Sequence, residues 1–247
     1  MDAVIAQTGV VEDVLVAYRD LVGVEARLAE KLGRQGVRIG ASVADQWPLV
    51  HDFLQLYARG LARAGALVLA GSPDAGSRAT GIPFTGPREA RERLGLQIEG
   101  ETSSPSARWW DAAAAAPPAA LFSVAHLAHA NPFDLAPMPA VRDAAATHLT
   151  RLLSLLRPQA VVTVGAEALA ALGHALGQRD LVDLARAPED AWLARWPPAT
   201  PLLRHPLAEV AQRPPFRVRV VPVPALDGPN GHAAEASLRS LVAYLAG

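Results

Sequence analysis

Cysteine is absent from the 247 residues. Disulfides, thiolate zinc sites and iron–sulfur clusters are therefore excluded, and the usage fits a reducing cytoplasm. Lysine is almost absent too: among 23 basic residues only Lys31 is a lysine. In a chain rich in Ala, Leu and Pro this points to coding bias, so the arginine excess carries little functional weight. A net charge of −1 gives no whole-chain field that would attract a polyanion, and any nucleic-acid surface must be a local patch. No run of 18 uncharged apolar residues exists, and residues 1–11 lack the basic start of a signal peptide. The expectation is a soluble, unprocessed cytoplasmic protein with no membrane partner. Aromatic residues are scarce at 5%, yet apolar residues reach 51% and charged ones 19%, which argues against disordered and fibrous classes. The length suits one domain over 1–247 with a core large enough to need no staples.

What is present is an alternation. Val14, Tyr18, Leu21, Leu28 and Leu32 fall at helical spacing over 12–33, and a second helix is predicted over 47–63, so that 1–63 reads as N-terminal helices. Four short apolar runs follow: Ala66 to Ala70, Ala119 to Leu127, Ala160 to Val164 and Arg217 to Val223. Such runs suit strands buried on both faces. Helical stretches lie between them at 88–95, 140–156 and 166–176, and an amphipathic helix at 233–246 closes the chain. This order predicts a three-layer α/β/α sandwich around a central four-stranded parallel sheet. Residues 100–118 and the proline-rich 187–215 read as loops, the latter as an insertion before the last strand.

In such sheets ligands bind beyond the carboxyl ends of the strands, which directs attention to 71–86, 128–139, 165–167 and 223–232. The first of these, Gly71 to Gly86, holds four glycines and two prolines in sixteen residues. It combines close backbone approach with rigidity. It is neither a P-loop nor a dinucleotide turn, since no Gly-Lys-Ser/Thr or G-x-G-x-x-G occurs in it. An ordinary structured connection is the plain alternative.

The strand Ala66–Ala70, the Ser72-Pro73 turn and Thr80-Gly81-Ile82-Pro83-Phe84 resemble the first motif of the uracil-DNA glycosylase superfamily. The nearest branch is the single-strand-selective monofunctional uracil-DNA glycosylases, where Gly-x-Asn-Pro-Gly precedes Thr-Gly-Val-Pro-Phe-Gly. Ala107-Arg108-Trp109-Trp110 resembles the family's Ala-Arg-Phe-Trp, and Pro118 to Leu135 follows its second strand without a gap, placing Pro132 on the family's proline. Val161 to Ala168 resembles its third strand, and Val221 to Gly231 stands where its His-Pro-Ser loop does. The likeness spans residues 50–176 and 216–246. It implies an enzyme that extrudes a damaged base from DNA, single strands included, into a pocket. It implies no cofactor, no metal and no cluster, and a monomer.

Residue by residue, the resemblance makes Phe84 the ring that stacks on the base, with Gly71, Pro73 and Asn131 in the base-binding wall. The water-positioning asparagine falls on Ser72, the base-reading asparagine on His129, and the leaving-group histidine on Val223, which has nothing to donate. The scaffold is kept while the reacting groups are replaced. Asp74 is a substitute that would hold water, or else a turn-forming Asp. His129 would contact a base edge or protonate a leaving group, or else cap or pack a loop. Asp134 would face the pocket, or else cap the next turn. His205-Pro206 offers an alternative to Val223 if Thr200 to Arg204 were the fourth strand. The stronger β-propensity of Phe216 to Val223 favours Val223. In the last loop Leu226 stands at the family's DNA-wedge position, but that loop carries Asp227 and no basic residue before His232. Arg78, Arg88, Arg91 and Arg93 would be the phosphate-facing patch, or else a solvated surface. The expected function is a diverged DNA glycosylase of base-excision repair with catalytic Ser72, Asp74 and His129. The alternative is a catalytically inactive nucleobase- or DNA-binding protein, and a hydrolase of another small molecule stays a third class.

Overall fold

A computed structural model describes residues 2–36, 43–57, 65–105, 107–113, 125–133, 138–195, 209–213 and 216–246. His205 and Asp134 lie outside these residues, as do 119–124 of the expected second strand. The uniformly apolar runs become strands β1 (Ala66–Ala70), β2 (Ala125–His129) and β3 (Ala160–Val164), each buried at every position. Short β-rich runs covered on both faces bury their whole length, which is why alternation is missing from the sequence. The fourth run forms Phe216–Val223.

The sheet runs β2-β1-β3-β5-β4, where β4 is Glu209–Arg213 and β5 is Phe216–Val223. The four strands β2, β1, β3 and β5 are all parallel, with Ala66 opposite both Ala125 and Ala160, and Ala160 opposite Arg219. The expected parallel core is thus present. The addition is β4, which pairs antiparallel with β5 at the edge. Chain order reverses across β1 and β3, since β2 lies to one side of β1 and β3 to the other. The loops leaving these two strands therefore diverge and open a crevice, the usual ligand position in an open α/β sheet.

Helices cover the sheet in two packed groups. One contains α1 (Asp2–Gly33), α6 (Pro139–Leu156), α7 (Ala166–Leu176) and α8 (Arg179–Ala185). The other pairs α5 (Arg108–Ala113) with α10 (Gly231–Ala246). The remaining helices are α2 (Trp47–Tyr57), α3 (Ala75–Thr80), α4 (Pro87–Leu94) and α9 (Glu189–Arg195). Two stretches read as loops hold regular elements: 100–118 contains α5, and 187–215 contains α9 and β4. Both helices are too short to show a period, and each is set by buried tryptophan. Trp109 and Trp110 anchor α5; Trp192 anchors α9, its indole N–H donating to the Leu184 carbonyl at 3.1 Å. Among the described residues no helix is long and apolar enough to cross a membrane.

Candidate functional site

The loop after β1 builds itself by local hydrogen bonds. Asp74 caps α3, its Oδ1 accepting the Ser77 N–H at 2.8 Å, and its Oδ2 accepts the Ser104 hydroxyl at 2.5 Å. Gly81 ends α3 at φ 70°, a left-handed conformation that suits glycine. The next turn is tied through two threonines: Thr80 Oγ1 donates to the Thr85 carbonyl at 2.6 Å and accepts the Ile82 N–H at 3.1 Å. Thr85 Oγ1 donates to the Pro83 carbonyl at 2.8 Å and accepts the Trp110 indole N–H at 3.3 Å. Inside this clasp Phe84 sits at φ 59°. A bulky residue there costs about 1–3 kcal/mol and persists only where its surroundings over-determine it. Its ring is buried and stacks on Trp109 with centroids 5.8 Å apart.

Across the crevice, α7 begins directly after β3 and places Glu167 in its first turn. The Glu167 carboxylate accepts the Ser72 N–H at 3.0 Å and the Ser72 hydroxyl in a short second bond. Gly71 makes this reach feasible, since a Cβ there would stand 2.6 Å from Glu167 Oε2. The Asn131 amide donates to Ser72 Oγ at 3.0 Å, and its oxygen accepts the Phe133 N–H at 3.2 Å. Asn131, Ser72 and Glu167 thus form a relay that links the exits of β2, β1 and β3.

These groups enclose a cavity of about 190 Å³, lined among others by Gly71, Ser72, Asp74, Phe84, His129 and Glu167. The volume is below the roughly 300–1,000 Å³ of drug-sized sites and suits a ligand about the size of a single base. His129, 6% exposed at the end of β2, has Nδ1 3.2 Å from the Gly71 carbonyl. A carbonyl only accepts, so Nδ1 carries the proton and Nε2 presents its lone pair. Nε2 is buried and has no hydrogen-bond partner. Burial pushes the imidazole down to about 4, against the opposing pulls of the Gly71 carbonyl and the Asp74 and Glu167 carboxylates. The ring is neutral near pH 7, an acceptor rather than a proton source.

Several expected site residues lie elsewhere. Asn131 does not line this cavity; it borders a neighbouring one of about 180 Å³ between α6 and α7, and its amide is engaged by Ser72 and Phe133. Pro73 and Val223 are buried but also outside the lining. The Val223 carbonyl accepts the Gly165 N–H at 2.8 Å, so this residue helps hold the β3 exit. Leu226 lines the cavity fully buried, whereas a wedge must project; in this conformation it is part of the wall. The arginine patch is largely neutralised: Arg88, Arg91 and Arg93 face the carboxylates of Glu89, Glu101 and Asp111. Asp74 has both oxygens engaged by its cap and by Ser104, which favours the turn-forming role.

Glu167 was not singled out as a site residue. The signal was its place in 165–167, directly after a strand, yet nothing in the sequence links it to Ser72 across ninety-odd residues. The last loop was also incompletely read. Glu189 and Asp190 at the start of α9 hold it: Glu189 Oε1 accepts the Ala225 N–H at 3.0 Å, and Asp190 Oδ1 accepts from the Asn230 amide at 3.1 Å. Arg108 Nη1 donates to the Leu226 carbonyl at 3.3 Å from the other side. Among the described residues no group of three or more His, Asp or Glu is arranged to hold a metal ion.

No family model matches the chain, and no curated protein does. Among solved structures it is similar to the crystal structure of wild-type SMUG2 from Pedobacter heparinus. The TM-score is 0.53 at 14% identity, over 84% of this chain and 86% of that one. At this identity the likeness carries the fold: a uracil-DNA glycosylase-like sandwich around a four-stranded parallel sheet.

Proposed function

We propose that the protein is a diverged DNA glycosylase that hydrolyses the N-glycosidic bond of a damaged base. The observation that carries this reading is the meeting of Phe84, the unpartnered Nε2 of His129 and the Ser72–Glu167 pair in one base-sized cavity. The cavity lies at the β1/β3 divergence of a fold shared with SMUG2. Phe84 would stack on the extruded base, His129 would accept from a base N–H, and Ser72 with Glu167 would orient the attacking water. Each Glu167 oxygen keeps a lone pair beyond the one it gives Ser72, enough to take a water proton. Glu167 is preferred to Asp74 for this role because Asp74 is engaged as a helix cap. The partner would be DNA, single strands included, met by a monomer in the cytoplasm.

Oligonucleotides carrying uracil, hypoxanthine, xanthine or alkylated bases, single- and double-stranded, test the proposal. The expected result is an abasic site at one of them, formed about 10²–10⁴-fold more slowly by Glu167→Ala. No base released from any strand would sink the enzyme reading. A second reading, a catalytically silent nucleobase- or DNA-binding protein, is favoured by Val223, which offers no donor to a leaving base. Ser72→Asn combined with Val223→His separates the two: uracil excision gained by a protein that lacked it would show a competent scaffold that has lost its chemistry.

A further inference from the structure

The polar character of the cavity is lopsided. Asp74, Glu167 and Asp227 supply carboxylates to its lining, and among the described residues no arginine or lysine joins them. The Ser72 N–H and hydroxyl both point to Glu167, and Ser77 supplies the other hydroxyl of the lining, able to donate or accept. Among the described residues of the lining, the buried polar atom without a partner is Nε2 of His129, an acceptor. The aromatic wall is Phe84, whose ring face attracts positive charge. Such a lining repels the two carbonyl oxygens that flank the N–H of a uracil-like base, and it complements N–H groups and a cation. The resemblance puts the leaving-group donor on Val223, which is buried, outside the lining and has nothing to donate.

We infer that the cavity takes a cationic, ring-N-alkylated nucleobase, a substrate class that rests on the glycosylase reading above. A valine rather than a donor at 223 then has a chemical reason. In an alkylated purine carrying a formal positive charge, the C1′–N bond breaks with its electron pair going to the ring nitrogen, which cancels that charge. The base departs neutral and needs no stabilisation as an anion. Water oxygen bonds to C1′, and its proton passes to the Glu167 carboxylate and on to solvent. The products are the neutral alkylated base, the sugar hydroxyl and one proton.

Two measurements on the intact chain test this. Calorimetric titration compares 7-methylguanosine with guanosine, and excision assays compare 7-methylguanine with uracil in the same oligonucleotide. The cationic nucleoside should bind about 10-fold tighter or more, the scale of one desolvated cation–π contact. Asp227→Asn, at an exposed position, should shrink that preference without a folding penalty. 7-Methylguanine should leave faster than uracil. Equal affinity, tighter binding of guanosine or no binding of either overturns the inference. Faster release of uracil also overturns it while leaving a glycosylase. A clear preference for the cation with no base excised supports the inference and removes the glycosylase. Hydrolysis of free 7-methylguanosine faster than of the same base in DNA keeps the cation preference and assigns it to nucleosides.

Discussion

The loop after β1 carries a set of local bonds of its own, through Asp74, Thr80, Thr85 and Gly81, beside its ties to Ser104, Trp110, Asn131 and Glu167. The loop after β5 is held from outside, by Glu189 and Asp190 on α9 and by Arg108 on α5. The two face each other across one cavity. A loop that carries its own caps and turn residues announces its shape in sequence, whereas one that borrows partners from distant elements does not. The same difference governs chemistry. The self-held loop can sustain a strained Phe84, and the borrowed loop exposes Asp227 at its tip.

Substitutions at three positions would break or sharpen this contrast. Phe84→Ala should have the largest effect, a loss of about 3–5 kcal/mol in denaturant unfolding, because it empties space against Trp109 and keeps the left-handed backbone. Phe84→Gly loses the same ring but suits φ 59°, so it should be the more stable of the pair; the reverse order would mean the turn is not strained.

Glu89→Gln comes next. This buried carboxylate accepts from Ser103, from the Gly86 N–H at 2.9 Å and from the Ser104 N–H at 3.2 Å, binding the end of the first loop to 102–104. Burial pushes its pKa up, but the bonds from Ser103, Gly86 and Ser104 outweigh that and leave it below the ordinary value. A lowered carboxylate stabilises the fold above its unfolded pKa, and that contribution is lost as pH falls through the folded one. The variant should therefore lose about 1–3 kcal/mol at pH 7. The gap to wild type should close below about pH 4; unfolding curves at pH 7 and pH 3 would show it, and a gap independent of pH would deny the charge its role.

Glu189→Ala should have the smallest effect on stability, about 1 kcal/mol, since it frees one half-buried N–H at Ala225. Its signature is local: faster hydrogen exchange at Ala225 with protection at Ile82 unchanged. Were the last loop self-held like the first, that exchange would not move.

Legibility followed the same line. Strands β1 and β3 and helix α7 matched their expected bounds to the residue, because each is a short apolar run or a periodic segment between glycines. Asp74 and Gly81 were readable as loop punctuation. Helices α5 and α9 were not, since one or two tryptophans in a polar or alanine-rich stretch show no period. Strand β4 escaped because Glu209–Arg213 shows neither an apolar run nor a clean alternation in sequence. In the site, Phe84 and His129 could be placed by motif order. Glu167 could not, because its partner Ser72 meets it only once β1 and β3 lie side by side. The role of Asn131 changed for the same reason: its partners, not its identity, turn its amide away from the cavity.

The register of the sheet also bears on how quickly the cavity can come into being. β4 and β5 pair antiparallel with only two residues between them, Arg213 opposite Phe216, and hairpins close in about 1–10 microseconds. Every pairing that builds the cavity floor is of the other type, with Ala66 beside Ala125 and Ala160, and Ala160 beside Arg219. Each needs a long segment of chain to close before any contact rewards it, which places these steps among the slow ones in folding. By topology the strand pairings beneath the ligand crevice are expected to close more slowly than the antiparallel edge.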